Sequence, residues 1–148
     1  MSELTTDKSF RLYIVSPERQ IYAGEVRMVT AISVDGELGI MPRHSPLLAD
    51  LLPGEVKVIT AAGEEEYVYV SGGYIEVLPM EVTILADTAL RGQEVDEAAA
   101  LEAKRLAEKT INSSPLYSDR DQAQVELIKA LAQLRALEHS RRRKKRGM

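Results

Sequence analysis

Few residues in this 148-residue chain belong to types that carry out catalysis or bind metals. The chain has no cysteine, which excludes thiolate chemistry, and only two histidines, His44 and His139, which disfavours a histidine-based metal cluster. His44 precedes Ser45, but neighbours in sequence do not by themselves form a nucleophile and its base, and no third partner is evident. We therefore interpret His44 as a surface or turn histidine and expect no catalytic residue, no metal and no cofactor.

The glycine-rich motifs are more typical of turns than of phosphate binding. Neither Gly36-Glu37-Leu38-Gly39 nor Gly72-Gly73 is followed by the Lys-Ser or Lys-Thr pair that completes a phosphate-binding loop. Glycine supplies the backbone conformations that tight hairpin turns need, so we interpret both motifs as turns. The acidic run at 64–66 is expected at the solvated tip of another hairpin.

The most prominent charged motif is the run of six basic residues at 141–146. Such a run could contact nucleic acid or an acidic protein surface, or it could be a frayed, solvated terminus with no partner. Residues 1–91 carry 7 basic and 14 acidic side chains, a net charge of −7, whereas residues 92–148 carry 12 and 9, a net charge of +3. Because the acidic first part would repel a phosphate backbone, nucleic-acid binding through the run is the less favoured alternative.

Two segments of different composition must position these groups. Between residues 10 and 86, short runs rich in β-branched and aromatic residues end at Gly, Pro or Asp-Gly turn signals. About nine or ten short strands at this spacing predict an antiparallel sandwich or barrel. From Val95 onward the chain is rich in Ala, Leu, Glu, Lys and Arg, which favour helix.

The second segment is predicted to form two amphipathic helices. Asp96 is a candidate N-cap for the first helix, and Asn112 to Pro115 end it. Its apolar stripe is predicted at Val95, Ala99, Ala103, Leu106 and Thr110. The second helix is predicted from about 119–121 to Ser140, with its stripe at Ala123, Leu127, Leu131, Leu134 and Leu137 and with Ile128 beside it. A seven-residue loop would make the pair an antiparallel hairpin, which buries too little alone and is therefore a candidate moving part.

Three spaced motifs carry a resemblance to a known family. Residues 36–48, GELGIMPRHSPLL, resemble the G-E-L-G-I-x-P-x-H-x-P-L-L signature of the epsilon subunit of bacterial F-type ATP synthase. Residues 70–77, VSGGYIEV, and 82–89, VTILADTA, are similar to the second and third signatures of that family. The resemblance spans about Phe10 to His139 and implies an α+β fold, in which an N-terminal β-sandwich of about ten short strands precedes a C-terminal two-helix hairpin.

The resemblance also implies a function, that of a non-catalytic central-stalk subunit of the proton-translocating enzyme. The sandwich, residues 1–90, would clamp the gamma subunit and sit on the c-subunit ring, with Glu37 and His44 near these partners. The hairpin, residues 91–140, followed by the basic tail 141–148, would fold down or extend along gamma to the alpha and beta subunits and inhibit ATP hydrolysis. The hairpin residues expected to act there are Leu127, Leu131, Leu134, Arg135, Arg141 and Arg142.

Two further expectations concern nucleotide and membrane. Some members of the family bind ATP on the folded hairpin through an [I/L]-D-x-x-R-A motif, but the matching residues 95–100 read VDEAAA. Ala99 replaces the arginine and its fork of phosphate-binding donors, so weak or absent ATP binding is expected.

The sequence shows neither a signal peptide nor an apolar run of about 20 residues. A peripheral position on the cytoplasmic face of the bacterial inner membrane is implied, with membrane contact only through the complex.

Overall fold

The structure is a computed structural model that describes residues 8–146, with side chains described as far as Arg143. Nine strands occupy the first part of this described chain, and a 3₁₀ turn leads from them into two long helices. The strands are β1 (Phe10–Val15), β2 (Gln20–Ser33), β3 (Gly36–Ile40), β4 (Leu47–Leu51), β5 (Gly54–Thr60), β6 (Glu65–Val70), β7 (Gly73–Val77), β8 (Glu81–Ala86) and β9 (Ala89–Arg91). The 3₁₀ turn is Gly92–Glu94, and the helices are α1 (Glu97–Ser113) and α2 (Tyr117–Arg146).

The strands form the predicted β-sandwich, with hydrogen bonds following the order β1-β8-β7-β4-β2-β5-β6-β9 and β3 paired to β2. The first half of β2 pairs with β1, whereas its second half pairs with β3 and β5. This 14-residue strand therefore connects the two layers. All strand pairs are antiparallel except β1 with β8, which is parallel and departs from the antiparallel prediction.

The core lies between the two layers and is built from the alternate residues of each strand. On β1, Leu12 and Ile14 are fully buried, while Arg11 before them is exposed and Tyr13 between them is partly exposed. The other fully buried side chains are mostly β-branched: Val26, Val29, Val56, Val58, Val68, Ile75 and Ile84. Burial of each such side chain stabilises the fold by about 1.5–3 kcal/mol, so this core holds most of the stability of the molecule.

Strand β6 differs from the others because both of its faces are buried. Val68 and Val70 enter the sandwich core, while Tyr67 and Tyr69 lie on the outer face, where α2 covers them. A strand with one solvated face would expose these alternate positions. The hairpin is therefore folded down against the sandwich in this structure, with α2 in contact with β5, β6 and the 3₁₀ turn.

The helices confirm the predicted hairpin but differ from it in detail. Asp96 caps α1 as predicted, since its Oδ1 accepts a hydrogen bond from the Ala99 amide at 3.1 Å. The predicted bounds of the second helix were wrong at both ends, because α2 begins at Tyr117 and continues through the basic run to Arg146. The connection is accordingly three residues, 114–116, and not seven. Residues 147 and 148 of the predicted tail lie outside the described residues.

The predicted apolar stripes were also wrong in part, because alanines occupy most of the buried positions. On α1 the buried residues are Ala100 and Ala107, while Leu106 is 48% exposed. On α2 the buried residues are Ala123, Ala130, Ala132, Ala136 and Leu137. Small side chains let two helices, or a helix and a sheet, approach closely, so alanines fill these contacts and several leucines face outward.

Candidate regulatory interface

The contact between the hairpin and the sandwich is a small apolar cluster. Tyr67 and Tyr69 of β6 pack against Ala132 and Ala136 of α2, with Leu90 at the border. We call these five residues the docking cluster. Burial under α2 raises the pKa of the Tyr69 phenol, and a hydrogen bond from Gln133 opposes part of that rise. The sequence contains one signal of this interface, the run Tyr-Val-Tyr-Val at residues 67–70. Both sets of alternate residues in this run are apolar or aromatic, so neither set is suited to a solvated sheet face.

Gly92 allows α2 to approach the sandwich at the base of the hairpin. A Cβ atom at this position would lie 2.4 Å from the backbone oxygen of Ala136 and 1.9 Å from the Ser140 hydroxyl oxygen. The hydroxyl could rotate away, but the helix backbone could not yield without moving α2. A glycine is therefore required here by the close approach of α2, a requirement that no local sequence pattern indicates.

Ion pairs surround the docking cluster near the end of α2. His139 Nδ1 lies 2.7 Å from Glu55 Oε2, and Arg143 Nη1 lies 3.2 Å from Glu66 Oε1. Arg141, one of the predicted hairpin residues, pairs with Glu97 of α1 at 2.5 Å. The interpretation of the basic run as a frayed terminus was thus wrong for residues 141–143, which are helical and interact with acidic groups. Such exposed pairs are individually weak and exchange readily with water.

The acidic run at 64–66 was expected at a solvated hairpin tip, and that expectation was wrong for two of its residues. Glu65 and Glu66 lie within β6 and are only partly exposed. Glu65 pairs with Lys57 of the neighbouring strand at 3.6 Å, and Glu66 receives Arg143 from α2. The acidic residues of the sandwich thus form part of the surface that receives the basic end of α2.

The segment that joins the sandwich to the hairpin is fixed at Glu94. Arg19, in the turn between β1 and β2, donates from Nη1 and Nη2 to the two carboxylate oxygens of Glu94, both at 2.9 Å. The Arg91 amide donates a third hydrogen bond at 2.8 Å. These hydrogen bonds, above all those from Arg19, hold the pKa of Glu94 below its ordinary value of 4.5. Val95 and Asp96 follow in extended conformation, so the connection to α1 begins immediately after an anchored residue.

The predicted hairpin residues are divided among several surroundings. Leu134 packs against the buried cluster of Val95, Ala100 and Leu137 between the helices. Leu127 is partly buried, whereas Leu131 is 38% exposed and lines an apolar groove between α2 and the sandwich. The groove has a volume of about 340 Å³ and is lined also by Ile32, Leu52, Pro53, Val125, Ile128 and Arg135. Arg142 is exposed and pairs with Glu138, one helical turn earlier, at 2.7 Å.

The structure does not bring Glu37 and His44 together at one site. Glu37 is the second residue of β3 and lines a polar cavity of about 230 Å³ with Glu55, Lys57 and Arg135. His44 lies in the loop between β3 and β4, where its Nδ1 is 2.7 Å from the Ser45 carbonyl oxygen. The roles of Glu37 and His44 at an interface therefore stay predictions.

The loop that contains His44 lies beside the turn between β7 and β8. The Arg43 amide donates to the Pro79 carbonyl at 3.0 Å, which ties the two connections together. Three apolar side chains are exposed at this end of the sandwich: Met41, Leu78 and Met80. On the adjoining sheet face, Leu48, Tyr74 and Leu85 are 69%, 54% and 54% exposed. A contiguous exposed apolar region of this kind is typical of a protein-binding surface.

Comparison with known proteins identifies relatives for both parts of the chain. Residues 9–92 match the family model of the ATP synthase delta/epsilon chain β-sandwich domain, and residues 93–138 match that of its long α-helix domain. The ATP synthase epsilon chain of Alkalilimnicola ehrlichii is 53% identical over 133 residues, covering 90% of this chain and 95% of that protein. The epsilon chain of Halorhodospira halophila is 52% identical over 134 residues, covering 90% and 95%. The nucleic-acid-binding alternative receives no support from these matches.

Solved structures share the fold. A chain in the Euglena gracilis mitochondrial ATP synthase, in a structure of OSCP, F1 and c-ring, superposes with a TM-score of 0.77 at 23% identity, covering 88% of this chain and 82% of that one. A chain in the central stalk and c-ring structure of the Tetrahymena thermophila mitochondrial enzyme gives 0.59 at 16% identity, covering 86% and 96%. Within residues 8–146, no helix is both long and apolar enough to cross a bilayer.

Proposed function

The chain belongs to the delta/epsilon family of ATP synthase subunits, and we propose that its folded hairpin is the stored form of an inhibitor of ATP hydrolysis. It is an epsilon-type subunit, which is a non-catalytic part of the enzyme. The sandwich, residues 1–90, would be the attachment unit, and the hairpin and basic tail, 91–140 and 141–148, the regulatory unit. In this division the subunit is part of the rotor and couples the catalytic head to the c ring through gamma.

One observation carries the proposal, the contrast between the two interfaces of the molecule. The sandwich core consists of many fully buried branched side chains, whereas the docking cluster has two tyrosines, two alanines and one half-buried leucine. Removal of α2 from the docking cluster would thus cost far less free energy than opening the sandwich. A hairpin held this weakly on a stable platform can exchange between a folded and an extended position.

The exposed groups of the hairpin are those that an extended hairpin would offer to a partner. Leu131, Ile128 and Val125 are already partly exposed, and Arg135 and Arg142 lie at the surface of the same helix. An apolar strip flanked by cations would fit an acidic, partly apolar surface of the beta and alpha subunits. In the folded position Arg141 and Arg143 are instead held by Glu97 and Glu66.

The sandwich offers a separate surface for attachment. The exposed apolar end near Met41, Leu78 and Met80, with His44 in the same loop, lies outside the docking cluster. We place the contacts with gamma and the c ring at this end and on the adjoining face around Leu48 and Tyr74. Because these contacts leave α2 free, attachment and inhibition are separable. Attachment to gamma and the c ring would also place the subunit at the cytoplasmic face of the bacterial inner membrane, as a peripheral component.

Reconstitution with a chain ending at Glu94 tests this division of labour. That chain keeps every described strand and the Arg19–Glu94 pair but lacks both long helices. With binding of the shortened chain verified, we expect faster ATP hydrolysis and retained ATP-driven proton pumping. Loss of pumping would contradict the role of the sandwich, and unchanged hydrolysis would contradict the role of the hairpin.

A further inference from the structure

We propose that Arg19 is a positioning residue for the hairpin. It holds Glu94 on the sandwich and thereby places the pivot, the backbone link about which the released hairpin turns, between Glu94 and Val95. The inference deepens the proposed function, because it concerns the movement of the same hairpin. Arg19 and Glu94 lie 75 positions apart in sequence, so no local motif indicates their contact.

Three donors from the sandwich converge on the carboxylate of Glu94. Arg19 donates from Nη1 to Oε2 and from Nη2 to Oε1, both at 2.9 Å, and the Arg91 amide donates to Oε1 at 2.8 Å. Exposed ion pairs generally contribute little, but a bidentate arginine fork is the geometry in which they do contribute, and here a backbone donor reinforces it. Glu94 is therefore fixed both to β9 and to the turn between β1 and β2.

Arg19 can hold Glu94 in place because its own backbone is fixed. The Ser16 amide donates to the Arg19 carbonyl at 2.9 Å, and this hydrogen bond closes the turn between β1 and β2. A second arginine ties the same region together, since Arg91 Nε donates to the Ile21 carbonyl at 3.1 Å. The segment that leads out of β9 is thus attached to the start of β2 by two arginines.

The next residue, Val95, belongs to the hairpin instead. Its side chain is 7% exposed and packs against Ala100 of α1 and Leu137 of α2. Its backbone is extended, and one hydrogen bond, from the Val95 amide to the Gly92 carbonyl at 3.2 Å, spans the link and must open when the hairpin turns. The change from a residue held by the sandwich to a residue held by the hairpin therefore takes place across one peptide link.

The position of the pivot determines the point from which the released hairpin reaches a target. Strand β9 pairs with β6 only as far as Arg91, so without the Arg19 contact residues 92–94 would join the free connection once α2 is released. Three extended residues span about 10 Å, at about 3.3–3.6 Å each. Because the effective concentration of a tethered group at its target depends on the length of the tether, this added length would alter how the hairpin finds its partner.

The experiment uses the full chain with its hairpin released by Ala132→Glu and Ala136→Glu together. Both alanines are buried in the docking cluster, where a carboxylate is costly to bury, whereas glutamate favours helix. Shifts of the Tyr67 and Tyr69 resonances identify the released form. Nitrogen-15 relaxation then gives the order parameters of the backbone amides of residues 92–94, with Arg19 present and in Arg19→Gln.

Arg11→Gln is the matched control. It removes the same charge from the opposite end of β1, where the Arg11 guanidinium lies 5.5 Å from the centroid of the Tyr13 ring. We expect the amides of residues 92–94 to keep order parameters of about 0.85 in the released chain and in the Arg11→Gln control. In Arg19→Gln the same amides should fall below about 0.6.

Two results would overturn the inference. One is order parameters below about 0.6 at residues 92–94 while Arg19 is present, and the other is values in Arg19→Gln that stay as high as those of the control. Neither result depends on ATP hydrolysis, so a failure here is distinguishable from a failure of the inhibitory role, which reconstitution tests.

Discussion

Gly92 is the residue on which the fit between the sandwich and α2 depends most directly. The Gly92→Ala substitution places a methyl group 2.4 Å from the Ala136 backbone oxygen, and the helix must move to accept it. We expect docking to weaken by about 1–3 kcal/mol, the usual cost of overpacking a close contact. Because the chain has no cysteine, Asp35→Cys and Ser118→Cys can carry a pair of dyes, and single-molecule energy transfer between them measures the ratio of docked to released hairpin.

Gly39→Ala provides the control for that substitution. A Cβ atom at Gly39 would meet only the terminal methyl of Met28, at 3.3 Å, and that flexible side chain can yield. We expect the control to leave the docking ratio unchanged. An equal effect of the two substitutions would show that loss of glycine, and not contact with α2, is responsible.

Glu94, which Arg19 fixes at the start of the hairpin, should make the free energy of unfolding depend on pH. Its pKa is held below the ordinary 4.5, chiefly by the hydrogen bonds from Arg19, so its contribution to stability is present above that value and is lost at lower pH. We expect Glu94→Gln to be less stable than the original chain at neutral pH, with the difference shrinking as pH falls below 4.5. Urea unfolding at pH 7, 5 and 3 measures it. A difference that stays constant across this range would contradict the assignment.

Among the elements, the basic end of α2 makes ion pairs within the subunit itself. In the folded state Arg141 and Arg143 pair with Glu97, Glu64 and Glu66, at distances between 2.5 and 3.9 Å. Salt screens such exposed pairs, because the Debye length falls to about 3 Å at 1 M. We expect the docked fraction of the isolated chain to fall as salt rises, and removal of residues 141–148 to abolish most of that salt dependence. An unchanged salt dependence in the shortened chain would contradict this role.

The first turn of α1 bears on nucleotide binding. Ala99 is exposed at the place where a phosphate-binding arginine would stand, and Asp96 and Glu97 add negative charge to the helix N-terminus. Arg105, the nearest substitute on α1, pairs with Glu102 at 2.7 Å. We expect calorimetry with ATP to detect weak binding or none. A micromolar dissociation constant for ATP would contradict this expectation. Loss of that binding in Arg105→Gln would then identify Arg105 as the residue that binds the phosphates.

The sequence predicts the elements better than their contacts, for physical reasons. The bounds of strand β1, Phe10–Val15, can be predicted from the sequence, because a turn-forming Ser-Pro pair ends a run of branched and aromatic residues. Strand β9 was missed because three residues carry no measurable periodicity. The buried faces of the helices were predicted only in part: Ala123 and Leu137 are buried as predicted, whereas Ala100, Ala107, Ala130, Ala132 and Ala136 were missed. Alanine is helix-favouring and weakly apolar, so its pattern could not outweigh that of Leu106 and Leu131.

The regulatory interface was predictable only in outline. The sequence indicated a hairpin that must pack on the sheet or on another protein, and the structure shows it packed on β6. The pairing of His139 with Glu55 joins residues 84 positions apart, and the need for glycine at position 92 arises from Ala136 and Ser140, more than 40 residues later. Such long-range contacts depend on the complete fold and have no local signature.

The whole molecule combines a stable sandwich with a weakly docked hairpin, which we propose to be an inhibitor of ATP hydrolysis. The decisive measurement is the ATP hydrolysis rate of the assembled enzyme with three forms of this subunit bound: the original chain, Gly92→Ala, and the chain ending at Glu94. We expect the fastest hydrolysis with the chain ending at Glu94 and the slowest with Gly92→Ala, whose hairpin is released more often. Equal rates for all three forms, or faster hydrolysis with Gly92→Ala than with the original chain, would contradict it.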